Sequence, residues 1–139
     1  MTLKGDMLNT VYSRSKLGVC KSLHTLQDYD FEKDKYLVTA KGFVYVINAD
    51  DKYVAMSPFI TKDGYVEYVL TEKSGNKKHI QAQRIVAIIF ISNPKNLPQV
   101  NHRNGNKEDN ARNNLQWITA SGNSKHSYDK LGKVPWNKK

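Results

Sequence analysis

Hydrophobic and polar positions are arranged in three distinct ways along this chain. Phe43-Val44-Tyr45-Val46-Ile47 and Tyr65-Val66-Glu67-Tyr68-Val69-Leu70 are rich in β-branched and aromatic residues, and the polar runs Asn48-Ala49-Asp50-Asp51 and Lys62-Asp63-Gly64 lie beside them. Runs of this kind bounded by Asn, Asp and Gly predict strands joined by turns. With Lys52 to Pro58 they predict a small antiparallel sheet. Ile80 to Phe90 instead sets Ile85, Ile88 and Ile89 at helical spacing, with Val86 and Phe90 widening the apolar face. That pattern predicts a buried helix. Further on, Gln99-Val100-Asn101-His102 and Leu115-Gln116-Trp117-Ile118-Thr119 read as two short strands around the polar loop Arg103 to Asn113. The Asn104-Gly105-Asn106 of that loop is able to take positive φ, so the two strands should fold back as a hairpin.

After Thr119 the chain runs from Ala120 to Leu131 and then meets Gly132, with Thr119 or Ser121 available as N-cap. A short helix is expected there. Positions three apart share a helix face, so Asn123 and His126 are both able to point toward the hairpin. The expected result is a group of Asn101, His102, Asn123 and His126 within reach of one another. Cleavage of a phosphodiester needs a water deprotonated near neutral pH and a cation to stabilise the charge that develops on oxygen. A histidine suits the first task because its ordinary pKa of about 6.5 lies close to working pH. Asparagine oxygens, completed by phosphate and water, suit a hard divalent ion such as magnesium.

On these residues the chain resembles the HNH endonuclease family, in the phage and intron-encoded homing endonuclease branch with a ββα-metal fold. The likeness rests on Asn101-His102, Asn104-Gly105-Asn106-Lys107, Asn114-Leu115-Gln116-Trp117-Ile118-Thr119 and Asn123-Ser124-Lys125-His126. It continues upstream through Arg84 to Pro94, similar to the helix and Asn-Pro turn before the hairpin in that branch, and more weakly through Tyr36 to Gly42 and Lys62 to Tyr65. The resemblance implies an α+β fold, with a small antiparallel β-sheet module followed by a ββα-metal (His-Me finger) nuclease module. Expected boundaries are an N-terminal segment of unassigned role over 1–35, a β-rich module over 36–78, the nuclease module over 79–131 and a basic tail over 132–139. It further implies His102 as general base, Asn101 and Asn123 as metal ligands, and Asn114 as the asparagine that braces the hairpin loop. His126 falls where members of the branch keep a histidine, near the phosphate or the metal. The implied cofactor is one divalent cation, Mg2+ or Mn2+.

One departure stands out. Many family members have Asp immediately before the catalytic histidine, whereas this chain has Asn101. Magnesium usually takes one or two carboxylates plus substrate phosphates, so a site of two neutral amides should hold metal weakly until DNA arrives.

Charge sharpens the choice of partner. Residues 73–139 hold 13 Lys and Arg against 3 Asp and Glu, a balance of +10, which leaves −1 for residues 1–72 and recovers the chain's +9. Clustered basic residues bind phosphates by releasing counterions, with steep salt dependence. Arg84, Arg103, Lys107, Arg112, Lys125 and Lys130 are the expected contacts to double-stranded DNA. Taken singly, an Asn- and Gly-containing loop is most often a turn, and a histidine is most often a surface or satisfied core residue. The ordered set, with the Leu-Gln-Trp-Ile-Thr strand between, carries the nuclease reading. Trp117 itself reads as a core anchor. The sole cysteine, Cys20, excludes an internal disulfide and a cysteine zinc site, as in a reducing cytoplasm. No apolar run is long enough to span a bilayer, and a cytoplasmic protein, monomeric or weakly dimeric, is expected. Two other readings remain open, a non-catalytic DNA-binding protein on the same scaffold and a protein-binding inhibitor that reuses it.

Overall fold

The computed structural model of the chain describes residues 10–120, and they share one hydrophobic core. Among the described residues, ten strands and one α-helix follow in the order β1 (Val11–Tyr12), β2 (Cys20–Ser22), β3 (Tyr36–Thr39), β4 (Val44–Ile47), β5 (Tyr53–Ala55), β6 (Phe59–Ile60), β7 (Val66–Thr71), β8 (Lys77–Gln81), α1 (Ala82–Phe90), β9 (Gln99–His102) and β10 (Leu115–Ile118). All strand pairs are antiparallel.

The runs expected to form one small sheet divide between two. β4 and β5 lie in a five-stranded sheet of order β1-β5-β4-β3-β2, while β7 is the centre of a three-stranded sheet, β6-β7-β8. The reason is burial. On β7 alternate residues Val66, Tyr68 and Leu70 turn inward, as a strand with one covered face requires, whereas Tyr36, Leu37, Val38 and Thr39 of β3 are all buried. β3 therefore sits between layers, and its neighbours on both sides come from the first sheet. Residues before Tyr36, in which no motif is legible, supply β1, β2 and the fully buried Leu23 and Leu26.

Turns fall where Asn and Gly were expected. Asn48 Oδ1 accepts from the amides of Asp50 at 2.9 Å and Lys52 at 3.0 Å, with Asp51 left-handed at φ 57°. Gly64 closes the β6–β7 turn by donating to Thr61 O at 2.8 Å.

Helix α1 begins at Ala82, since Ile80 belongs to β8. It buries Ala82, Ile85, Val86 and Ala87 against β7, β8 and the β9–β10 hairpin. Ile88, expected in the core, is 41 % exposed. At 100° per residue the buried positions fill a broad arc, and the remaining side carries Arg84 and Ile88, one turn apart. After α1 the Asn-Pro segment turns the chain into β9: Asn93 donates from Nδ2 to Leu97 O at 2.9 Å and accepts from Leu97 N at 2.8 Å. Among the described residues, no helix is long and apolar enough to cross a membrane.

Candidate active site

The predicted hairpin forms with the predicted ends for β9, and β10 stops one residue early, at Ile118. Its register opposes Leu115 to His102 and Gln116 to Asn101. The loop between the strands is built from asparagine side chains that replace missing backbone partners, as short carboxamides do in turns. Asn114 Nδ2 donates to Asn104 Oδ1 at 3.0 Å and to Asp109 O at 2.8 Å, while Asn114 Oδ1 accepts from Asn104 N at 3.1 Å. Asn104 Oδ1 also accepts from Asn106 N at 2.9 Å, and Asn106 Oδ1 from Glu108 N at 3.0 Å. Within Asn104-Gly105-Asn106 the positive φ falls on Gly105 alone, at 76°. Asn114 thus ties Asn104 and Asp109 together within the loop.

His102 ends β9 and is 6 % exposed. Its Nε2 lies 2.8 Å from Asn110 Oδ1, and the Tyr65 ring covers it at a centroid distance of 6.1 Å. A carboxamide oxygen only accepts, so this contact is a hydrogen bond when Nε2 carries the proton. Burial pushes the imidazole below its usual range. The bond to Asn110 and the charge of Asp109 act against that shift, and Lys107 adds to it. Asn110, 4 % exposed, was not singled out in the sequence. An Asp-Asn pair inside an Asn-rich loop looks like turn chemistry, and nothing local marks the residue that meets the histidine.

The lowered pKa has a stability consequence whose sign follows from linkage. The unfolded ring takes up a proton at about pH 6.5, before the folded ring does. Stability due to the neutral ring is therefore complete above that pH and lost as pH falls through it toward the folded value, at most about 1.4 kcal/mol per pH unit. Urea melts of the metal-free chain should show the midpoint falling with acid, with a shallower fall in His102→Gln. Equal slopes for the two proteins would refute the burial account.

Asn101 is 4 % exposed, and its Nδ2 has no hydrogen-bond partner among the described residues. An orphaned edge on a buried carboxamide is unusual, and it leaves this amide uncommitted to the protein on one side. Among the described residues no group of three His, Cys, Asp or Glu could hold a metal. The buried side chain of Asn101 offers a neutral oxygen, a donor that fits a hard cation also held by water and phosphate. Asn123, His126, Lys125, Lys130 and nearly all of the helix expected after Thr119 lie outside the described residues.

Arg84 is exposed, with its guanidinium 5.7 Å from the Trp117 ring centroid and Nη1 3.4 Å from Pro98 O. Trp117 is half-buried and donates from Nε1 to Ile91 O at 3.1 Å, so it anchors the hairpin to the end of α1. Arg103 is exposed, as is Arg112, which stacks 5.7 Å from the Phe90 ring. Lys107 is engaged within the protein: Nζ donates to Asp63 O at 2.7 Å and lies 4.6 Å from the Tyr65 ring centroid. The β6–β7 turn thereby closes over the hairpin loop.

A buried histidine at the end of a hairpin strand, a loop laced by asparagine and a helix packed behind them define an HNH nuclease module. Relatives agree. The chain is 39 % identical over 98 residues to one HNH endonuclease of Acanthamoeba polyphaga mimivirus and 39 % identical over 93 residues to another, covering 69 % and 67 % of this chain. It is 37 % identical over 84 residues to the DNA endonuclease I-HmuI of Bacillus phage SP01, which covers 60 % of this chain. A solved structure of the HNH homing endonuclease I-HmuI, described as showing DNA binding and cleavage, superposes with a TM-score of 0.68 at 28 % identity, over 85 % of this chain and 62 % of that one. No family model matches the chain. By sequence and by fold, the chain belongs with the HNH endonucleases. It spans 24 % and 27 % of the two mimivirus proteins and 46 % of I-HmuI.

Proposed function

We propose that the protein is a divalent-metal-dependent DNA endonuclease that hydrolyses phosphodiester bonds and is encoded by a phage or mobile element. The observation that carries this is His102, a buried imidazole whose Nε2 is committed to Asn110, which leaves Nδ1 free to take a proton from water. Asn101 and Asn123 would hold the cation, which supplies charge stabilisation at the phosphate and the leaving oxygen. Asn114 holds the loop that carries His102. His126, Lys125 and Lys130 are assigned to the phosphate side. The exposed Arg84, Arg103 and Arg112 would meet the DNA backbone, and Lys107 of the hairpin loop is assigned to the same role. One motif per chain makes a monomer a nicking enzyme, and double-strand cleavage would take two chains or two events.

Asn101 favours a second reading, a DNA-binding protein with weakened chemistry on the same scaffold. Neutral donors hold magnesium poorly, and the HNH pattern that the sequence resembles often has Asp at this position. Supercoiled plasmid incubated with magnesium, and separately with manganese, distinguishes the two. Conversion to open circle that stops with chelator is expected of the wild type, with Asn101→Asp needing less metal for the same rate. Salt-sensitive DNA binding without cleavage by wild type, combined with cleavage by Asn101→Asp, would establish the second reading instead.

A further inference from the structure

We propose that Asn110 is a positioning residue that fixes which nitrogen of His102 carries the proton, and that the β3–β4 turn holds Asn110 in place through Gly42. The role of the ring as a base rests on the proposed nuclease function, whereas the bond and its support do not.

A neutral imidazole carries one proton on either of two nitrogens, and the partner of one nitrogen decides the state of the other. Asn110 Oδ1, 2.8 Å from Nε2, accepts only. It holds the proton on Nε2 and leaves the Nδ1 lone pair for the substrate side. Both side chains are buried, at 4 % and 6 % exposure, so loss of the bond leaves polar atoms away from water, which is costly.

The support for Asn110 comes from far away in sequence. Asn110 lies in irregular chain just before the single-turn helix Arg112–Asn114, where no ladder of strand hydrogen bonds fixes it. Two contacts from the first sheet do. Arg112 N donates to Ala40 O at 2.8 Å, next to the β3–β4 turn. At Gly42 the backbones touch: a Cβ added there would stand 2.5 Å from the Asn110 carbonyl oxygen and 2.8 Å from its Cβ. Gly42 also has φ +95°, so both conformation and space exclude a side chain. Residues 40–42 thus form a backbone shelf under residues 110–112. The five-stranded sheet is on this account part of the apparatus that orients the base.

Gly75 supplies a matched control. Its φ of +93° is nearly that of Gly42, but nothing lies within 4 Å of a Cβ built there. Alanine at either position meets the same backbone strain, and only position 42 collides with Asn110.

The test uses the full chain with 15N-labelled histidine, at a fixed pH where the ring is neutral. The His102 signals are assigned by their loss in His102→Gln, and plasmid nicking is followed in parallel. Wild type should show the proton on Nε2. Asn110→Ala should give a mixture of the two tautomers and lower kcat by about 10–100-fold, the usual cost of removing such an orienting partner, with KM changed less than kcat. Asn110→Asp retains an acceptor and should restore the Nε2 proton. Gly42→Ala should reproduce the mixture seen in Asn110→Ala, and Gly75→Ala should match wild type in tautomer and rate. An unchanged tautomer in Asn110→Ala overturns the proposal even if cleavage falls. Tautomer and rate alike in Gly42→Ala and Gly75→Ala overturn the part assigned to the turn. Failure of wild type to cleave would remove the nuclease reading and leave the tautomer result to stand or fall alone.

Discussion

His102→Ala should lower single-turnover DNA cleavage by about 10²–10⁴-fold, the range contributed by a positioned general base, while the retained DNA affinity changes little. The expectation follows from where the ring sits. His102 is buried at the end of β9, with Nε2 donated to Asn110 and Tyr65 across its face, so one lone pair is presented in one direction. Alanine removes the acceptor for the water's proton and leaves Asn110 Oδ1 without its partner. Some destabilisation should accompany the loss, so cleavage is to be measured well below the melting temperature of the variant. His102→Gln, which keeps a hydrogen-bonding group in the space, should be as inactive as alanine. Cleavage by either variant within threefold of wild type would remove His102 from the base role.

Asn114→Ala should have the largest effect on stability. Its side chain is 9 % exposed and makes three hydrogen bonds, to Asn104 N, Asn104 Oδ1 and Asp109 O. At about 0.5–1.5 kcal/mol each, with added cost for buried groups left unpaired, the loss comes to about 2–4 kcal/mol. Against a typical domain stability of about 5–15 kcal/mol, the melting temperature should drop by roughly 10 °C. The nearly isosteric Asn114→Asp separates hydrogen bonding from packing. A carboxylate cannot donate to Asn104 Oδ1 or Asp109 O, and it sets its charge against both acceptors. It should therefore be at least as damaging as alanine. A calorimetric scan in which Asn114→Asp melts with wild type would show that these bonds contribute little.

Much of the hairpin was legible because its determinants are close together in sequence. Strand ends at Gln99 and His102, the glycine at 105 and the brace at Asn114 all lie within one stretch, and side-chain-to-backbone bonds across two to ten residues build the loop. Helix α1 was legible for the same reason, although its outer edge was not. Periodicity alone groups Ile88 with Ile85, and only the packing partners show that Arg84 and Ile88 share the open side.

The sheets were harder. β4 and β7 have similar composition, and alternation identifies both as strands without saying which partner each will take. The choice between one sheet and two was made by burial on both faces of β3, which depends on residues from Leu23 to Leu115 at once.

The sequence by itself determined the nuclease module of this protein: its order of elements, the histidine, the bracing asparagine and the basic half of the chain, because each is a local pattern of spacing and charge. Only the tertiary structure decided that Asn110 meets His102, that Lys107 caps the loop through Asp63 and Tyr65, and that Gly42 lies against Asn110. The first joins residues eight apart in a loop where no local preference announces the pairing, and the other contacts join segments tens of residues apart, which chain closure around a shared core brings together.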